Sequence, residues 1–317
     1  MKKTIAIIII SLVLSSSLSA AYETRMLGNR SRAMGEVRTV LPEIAAMHYN
    51  PAVMPLFQKM VFAVNGLTGV LVKGMGTELE TMFSASVPLL NNKLALGGGI
   101  LFSGYGGIDY PGLNRNMLYN ETYLNAAAGY KINRLLSLGL GLKVQFWSVG
   151  KNIKASRAAG FNITASMFLN NLFQGFDLGL SLQDILPLDI SSGQSDYKEK
   201  AIPRITIGIA RKWQDKYYTG VDMEYALVAD AFNLSLGGNI PIIKEMFSAS
   251  LGCRLENNFK IFVPSVGLAF SKKIFSINYT WQYPLVFAGG SGEHSLGFIL
   301  KLPSSRQTET AEENHNL

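Results

Sequence analysis

The chain has 317 residues, of which 48% are hydrophobic and only 16% charged, with a mean hydropathy of +0.19 and a formal net charge of +7. That charge is scattered, and no basic face with interleaved aromatics supports nucleic-acid binding. The single Cys253 excludes an internal disulfide framework and a multi-cysteine zinc site, and no cofactor motif appears. Gly139-Leu140-Gly141 and Gly97-Gly98-Gly99 lack the spacing and the strand-to-helix setting of phosphate loops.

The chain opens with Lys2 and Lys3, an apolar run over residues 5–14 and a small, polar stretch over residues 15–21. This is the layout of a secretory signal peptide, residues 1–21, with an apolar run too short for a spanning helix. No later stretch approaches the roughly 20 apolar residues that a membrane helix needs. Residues 22–58 do not alternate cleanly. Pro42 is placed to begin a short helix through Tyr49, and Asn50-Pro51 is placed to stop it, because a residue before proline avoids helical geometry.

From residue 59 onward the pattern has period two. Leu136, Leu138, Leu140, Leu142, Val144 and Phe146 alternate with Ser137, Gly139, Gly141, Lys143 and Gln145, and Phe275, Ile277, Tyr279 and Trp281 alternate with Ser276, Asn278, Thr280 and Gln282. Such runs, about 9 to 13 residues long, suit tilted strands that cross a bilayer, whereas ordinary globular strands are nearer 5 or 6. The predicted strands are 59–70, 77–87, 93–105, 119–131, 136–150, 156–169, 174–184, 201–212, 217–226, 231–240, 246–256, 259–271, 273–284 and 292–302. The fold class is therefore all-β: a transmembrane antiparallel barrel of about 14 strands, residues 59–302, the even number bacterial barrels use. Short gaps such as Asn91-Asn92, Asn133-Arg134 and Asn170-Asn171 alternate with longer ones at 106–118, 185–200 and 285–291, the asymmetry of periplasmic turns and outer loops. Residues 303–317 read as a disordered periplasmic tail, and residues 22–58 as a hatch inside the lumen.

Gly28, Ser31, Ala33-Met34-Gly35 and then Ala45-Ala46-Met47-His48-Tyr49-Asn50-Pro51-Ala52 resemble the N-terminal signature of FadL-type outer-membrane proteins, and within them the PorV/PorQ-type branch. Residues 177–184 and His294-Ser295-Leu296-Gly297-Phe298 resemble that branch as well. The resemblance implies a 14-stranded barrel with an N-terminal hatch, in the outer membrane, and a wall opening at a kink in the third strand. It departs from the family pattern at Glu36-Val37, where a glycine pair is usual, at Pro42-Glu43, where two acidic residues are usual, and at Val53, where glycine is common.

Candidate site residues follow. Asn50, Pro51 and Ala52 form a stiff corner, since proline fixes one backbone angle and holds its predecessor extended. With His48, Met47, Val53, Met54 and Phe57 they offer an apolar pocket with a polar anchor, the usual composition of a small-molecule site. Gly97, Gly98 and Gly99 in the third strand mark a candidate wall opening or, alternatively, close packing against the hatch. Neither metal site nor catalytic residue is expected: His294 and Ser295 are strand neighbours that point to opposite faces. Asp222 with Glu224, Lys143 with Gln145, and Arg254 with Glu256 share lumen faces and read as paired charge lining a closed barrel. Cys253 shares a face with Phe247, Ala249, Leu251 and Leu255 and is expected to face lipid. Three functions stay open: passage of a hydrophobic, fatty-acid-like molecule; a PorV-type accessory that meets secreted proteins or secretion machinery of the type IX kind through its outer loops; and a purely structural barrel.

Overall fold

The computed structural model describes residues 28–70, 77–109, 116–149, 156–185, 190–191, 198–199, 201–213, 217–244, 246–285 and 291–302. The expected signal peptide and C-terminal tail lie outside the described residues. One antiparallel sheet of sixteen strands contains a two-residue ladder, Ile190–Ser191 with Lys198–Glu199, and the other fourteen strands (16 − 2) form a closed wall. These are β1 Met60–Val70, β2 Thr77–Leu89, β3 Leu94–Asp109, β4 Asn116–Lys131, β5 Leu136–Val149, β6 Ser156–Leu169, β7 Phe176–Gln183, β8 Arg204–Trp213, β9 Tyr217–Ala226, β10 Ala231–Ile243, β11 Phe247–Glu256, β12 Ile261–Lys272, β13 Phe275–Gln282 and β14 Gly292–Leu302. Each pairs with its sequence neighbours, and β14 closes on β1 from Met60 opposite Leu302 to Val70 opposite Gly292. Closure leaves the wall without a free edge.

Alternation sorts side chains between two environments. In β9, Tyr218, Gly220, Asp222, Glu224 and Ala226 are buried, while Tyr217, Thr219, Met223 and Tyr225 are exposed. Around the barrel the outward face is a continuous apolar belt, including Leu79, Leu140, Leu251, Leu268 and Leu296, each more than half exposed. An exposed apolar band of that extent is incompatible with a protein surrounded by water and matches the lipid-facing band of a membrane barrel. Among the described residues no helix is long and apolar enough to cross a membrane, so the strands are what can span one.

The connections alternate as expected. One end carries tight turns, at 90–93, 132–135 and 170–175 among others. The Leu90-Asn91-Asn92 turn holds three successive residues at positive φ (50°, 57° and 63°), a conformation asparagine tolerates better than most residues. The other end carries the longer connections, together with two tight turns at 227–230 and 257–260. The loop expected over 185–200 contains the small ladder, which pairs Ser191 with Ala159 of β6. The β3–β4 hairpin extends past the predicted ends at 105 and 119. A register shift between Tyr105 and Ile108 breaks the alternation and hides the continuation.

The hatch, residues 28–57, crosses the lumen. It consists of one short helix, α1 Asn29–Ala33, and two 3-10 helices, Ile44–His48 and Pro51–Leu56. The helix expected from Pro42 to Tyr49 is thus shorter and of the tighter type. Asn50-Pro51 does stop it, but Pro51 also occupies the first turn of the next helix, where its missing N–H costs nothing. The α1 end packs on β11–β14 and the two 3-10 helices on β1–β6, so the hatch bridges opposite walls.

Candidate functional site

The hatch approaches the wall closely because the wall withholds side chains along its path. A Cβ added at Gly139 in β5 would lie 2.2 Å from Ala52 N, and one at Gly252 in β11 would lie 2.2 Å from Gly35 N. The same holds where Thr39 meets Gly179, Met34 meets Gly237 and Ala33 meets Gly267. Strand glycines that lower local β stability are here the footprint of the hatch backbone.

Polar groups on the lumen face then grip that backbone. Asp222 Oδ2 accepts from Arg38 N at 2.8 Å, Thr39 N at 2.7 Å and Thr39 Oγ1 at 2.8 Å. Thr280 Oγ1 donates to Asn29 O at 2.7 Å, Gln282 Nε2 to Arg32 O at 3.0 Å, Tyr218 OH to Val40 O at 2.8 Å and Asn125 Nδ2 to Met47 O at 3.0 Å. Ser181 Oγ donates to Tyr49 O, and Ser166 Oγ accepts from Ala52 N at 3.1 Å.

Ion pairs reinforce the same contacts. Arg38 pairs with Glu224 and Arg32 with Glu293, while Arg254 pairs with Glu36, with Glu224 at 3.4 Å and with Glu256 at 3.2 Å. The lumen charges are therefore paired, largely with the hatch itself. Glu36 stands at φ 67°, where a glycine would be unstrained, and its carboxylate reaches Arg254. Glu36 thus exchanges backbone ease for an ion pair. Burial, followed by repulsion from Arg254, lowers Arg38 to about 10, which leaves it charged at neutral pH.

Inside the hatch, Glu43 accepts from Tyr49 OH at 2.5 Å and from Ser31 N at 3.3 Å, tying α1 to the first 3-10 helix. Burial raises Glu43 above the ordinary carboxylate range despite these bonds. Burial also drives His48 down to about 4, with Lys143 adding repulsion, so its imidazole is neutral; its Nε2 is buried without a partner among the described residues.

The predicted site residues divide clearly. Asn50, Ala52, Val53, Met54 and Met47 are completely buried and Pro51 is buried, while His48 and Phe57 are partly exposed. Asn50 spends its amide within the hatch: Nδ2 donates to Thr39 O, and Oδ1 accepts from Ala52 N at 3.1 Å. It caps the second 3-10 helix and does not face open space. Met47 and Met54 instead form an apolar seam with Ile44, Val61, Ala63, Ala95 and Ala127, flanked by Phe57 and Ile299.

At Gly97, Gly98 and Gly99 the geometry is that of close packing against the hatch, the alternative to a wall opening. Pairing runs unbroken through them, with Ser86, Ala85 and Ser84 on one side and Ala127, Ala126 and Asn125 on the other. The glycines give room to the hatch: a Cβ at Gly97 would lie 2.6 Å from Met54 Cε and 3.0 Å from Met47 Cε.

An open depression of about 680 Å³ lies at the tight-turn end, bordered by Pro55, Leu56, Lys93, Lys131 and Arg134. Its lining mixes apolar side chains, Pro55, Leu56 and Ile132, with polar and basic ones, and includes none of the predicted site residues. His294 Nδ1 lies 2.7 Å from Tyr279 OH on the outer face, whereas Ser295 is buried in the lumen, so the two cannot act as a nucleophile–base pair. Among the described residues no group of three His, Cys, Asp or Glu side chains could hold a metal ion.

These features define a closed 14-stranded membrane-type barrel whose lumen is filled by its own N-terminal segment. No protein-family model and no curated protein sequence matches the chain. Solved structures do match its fold. The CymD monoaromatic hydrocarbon channel is similar at TM-score 0.71 and 12% identity, over 90% of this chain and all of that one (100%). The Pseudomonas putida toluene transporter TodX is similar at 0.68 and 12%, covering 87% and 99% of the two chains. A Pseudomonas aeruginosa FadL homologue is similar at 0.63 and 12%, covering 89% and 98%. The chain therefore has the FadL-type barrel fold.

Proposed function

We propose that the protein is an outer-membrane channel for hydrophobic small molecules, closed by the hatch and opened by its displacement. The tight turns then face the periplasm and the longer connections the outside. The observation that carries this reading is the apolar seam between hatch and wall, where Met47 and Met54 end against Gly97. Methionine is unbranched and polarisable, and its end yields to a guest more readily than a branched side chain does. The FadL-type fold, shared with channels named for monoaromatic hydrocarbons and toluene, supports the same reading. Since pairing is unbroken at Gly97–Gly99, the proposed route runs through the lumen past the hatch.

The test is binding of a naphthylamine-type apolar fluorophore to the purified barrel, with toluene as competitor. Wild type should bind it displaceably, and a Met47→Ser/Met54→Ser barrel should bind it at least tenfold more weakly. Equal binding by the two would remove the seam from the account.

A second reading keeps some support from the filled lumen and unbroken wall. In it the barrel is an accessory that meets secreted proteins at its long-connection end. Deleting the gene would then deplete particular proteins from the medium while apolar-probe uptake stayed unchanged.

A further inference from the structure

Beyond the hatch, on the long-connection side, one row of lumen positions is amphipathic. Strand register places Met82 of β2 opposite Leu101 of β3, Leu101 opposite Tyr123 of β4, and Tyr123 opposite Gln145 of β5. The first three belong to the buried apolar cluster that includes Leu41, Ala45 and Val53 of the hatch. The row then turns polar. Lys143, two residues from Gln145, stands opposite Asn162 of β6, and Gln183 lies at the end of β7, beside the Leu182–Ala165 pair. A 2.9 Å ion pair between Lys143 Nζ and Asp184 draws β5 and the end of β7 to the same place.

Gln145, Asn162 and Gln183 are only 1%, 1% and 2% exposed. Among the described residues, both amide atoms of Gln145, both of Asn162 and Nε2 of Gln183 have no hydrogen-bond partner. Buried carboxamides are ordinarily bonded, because each unmet donor or acceptor forfeits its hydration. Five such atoms gather on three adjacent strands, all facing the lumen, and present a polar surface.

The level of the row is informative. Gly139, Ser166 and Ser181 on the same three strands touch the hatch, and Gln145, Asn162 and Gln183 lie further along those strands toward the long connections. The amide row thus lies on the long-connection side of those hatch contacts.

We propose that this row is a selectivity site for the polar head of an uncharged amphiphile, with the tail lying against Met82, Leu101 and Tyr123. The head is neutral because the unpartnered atoms of the row are amide donors and acceptors, while the charged side chains beside it are engaged: Lys143 with Asp184, Glu121 with Tyr123, and Arg204, opposite Gln183, with a partner of its own. A hydroxyl or amide head both donates and accepts, as three carboxamides require. The site rests on the channel reading and sharpens it from any hydrocarbon to a long-chain molecule carrying a hydroxyl or amide end.

The experiment compares displacement of the apolar fluorophore by 1-dodecanol and by dodecane, using the purified full-length barrel. Wild type should favour the alcohol by about tenfold, the scale of one or two well-formed hydrogen bonds. In Gln145→Leu/Asn162→Leu the ratio should fall to about one. Gln183→Met, at the edge of the row, serves as a second variant and should reduce the ratio severalfold if the pair does not assemble. Equal displacement by alcohol and alkane in wild type would overturn the amide site while leaving the channel reading in place. Displacement by neither would overturn both. A ratio that survives in the variants would place the preference elsewhere and overturn the assignment to this row.

Discussion

Asp222→Ala should release the hatch without dismantling the barrel. One carboxylate oxygen accepts three hydrogen bonds, from Arg38 N, Thr39 N and Thr39 Oγ1, all between 2.7 and 2.8 Å. Truncation leaves two backbone N–H groups buried and unpaired, at about 1–3 kcal/mol each. A central figure of about 4 kcal/mol lowers the docked-to-released ratio by roughly a thousandfold. Asp222→Asn keeps an acceptor oxygen and should lose about half as much on the same scale. The wall's own ladder bonds do not involve this side chain, so heat-dependent gel mobility should stay as in wild type. The assay is tryptic cleavage at Arg30, Arg32 and Arg38 in the detergent-folded barrel, paired with single-channel conductance. Cleavage and conductance should rise in Asp222→Ala and less in Asp222→Asn. An Asp222→Ala hatch as resistant as wild type would refute the argument that this latch holds it.

Gly139→Ala should displace the second 3-10 helix by overpacking, costing about 1–3 kcal/mol, because the new Cβ meets Ala52 N at 2.2 Å. Gly238→Ala, whose nearest neighbour would be 3.5 Å away, should be neutral in the same protease assay. His48, held down to about 4 from its ordinary 6.5, supports docking fully above pH 6.5. That support is lost as pH falls toward 4, since only the released hatch takes up the proton in that window. Protease sensitivity should therefore rise on acidification, and His48→Gln should flatten the rise. Cys253, whose register partners are Leu236 and Pro264, faces outward beside Leu251 and should react with a water-soluble maleimide only after heat unfolding. Fast labelling of the folded barrel would reverse the face assignment of β11.

How much was legible can be judged element by element. The strand predicted at 136–150 is observed as Leu136–Val149, because a strict two-residue alternation has only one register that keeps Leu138 out and Lys143 in. The hatch was legible as non-strand, yet its local structure was not. Ile44–His48 and Pro51–Leu56 are 3-10 turns set by wall contacts that no short-range pattern encodes. The glycines were visible in the sequence, but Gly97–Gly99 read either as a wall opening or as close packing against the hatch, and they are room for Met47 and Met54. What distinguishes the two is the partner across the lumen, far away in sequence. Asp222 was placed on the lumen face by alternation, and its role as a latch needed the position of Thr39. Gln145 was likewise placed facing inward, but its lack of a partner is a property of the assembled interior.

The central claim is that the hatch must move for an apolar molecule to pass. Ser166 Oγ lies 3.1 Å from Ala52 N, so Ala52→Cys and Ser166→Cys place two thiols at one contact between hatch and wall. In a Cys253→Ser background, the oxidised double variant in liposomes should lose uptake of the apolar fluorophore and regain it on reduction. Undiminished uptake with the crosslink fully formed would contradict the account.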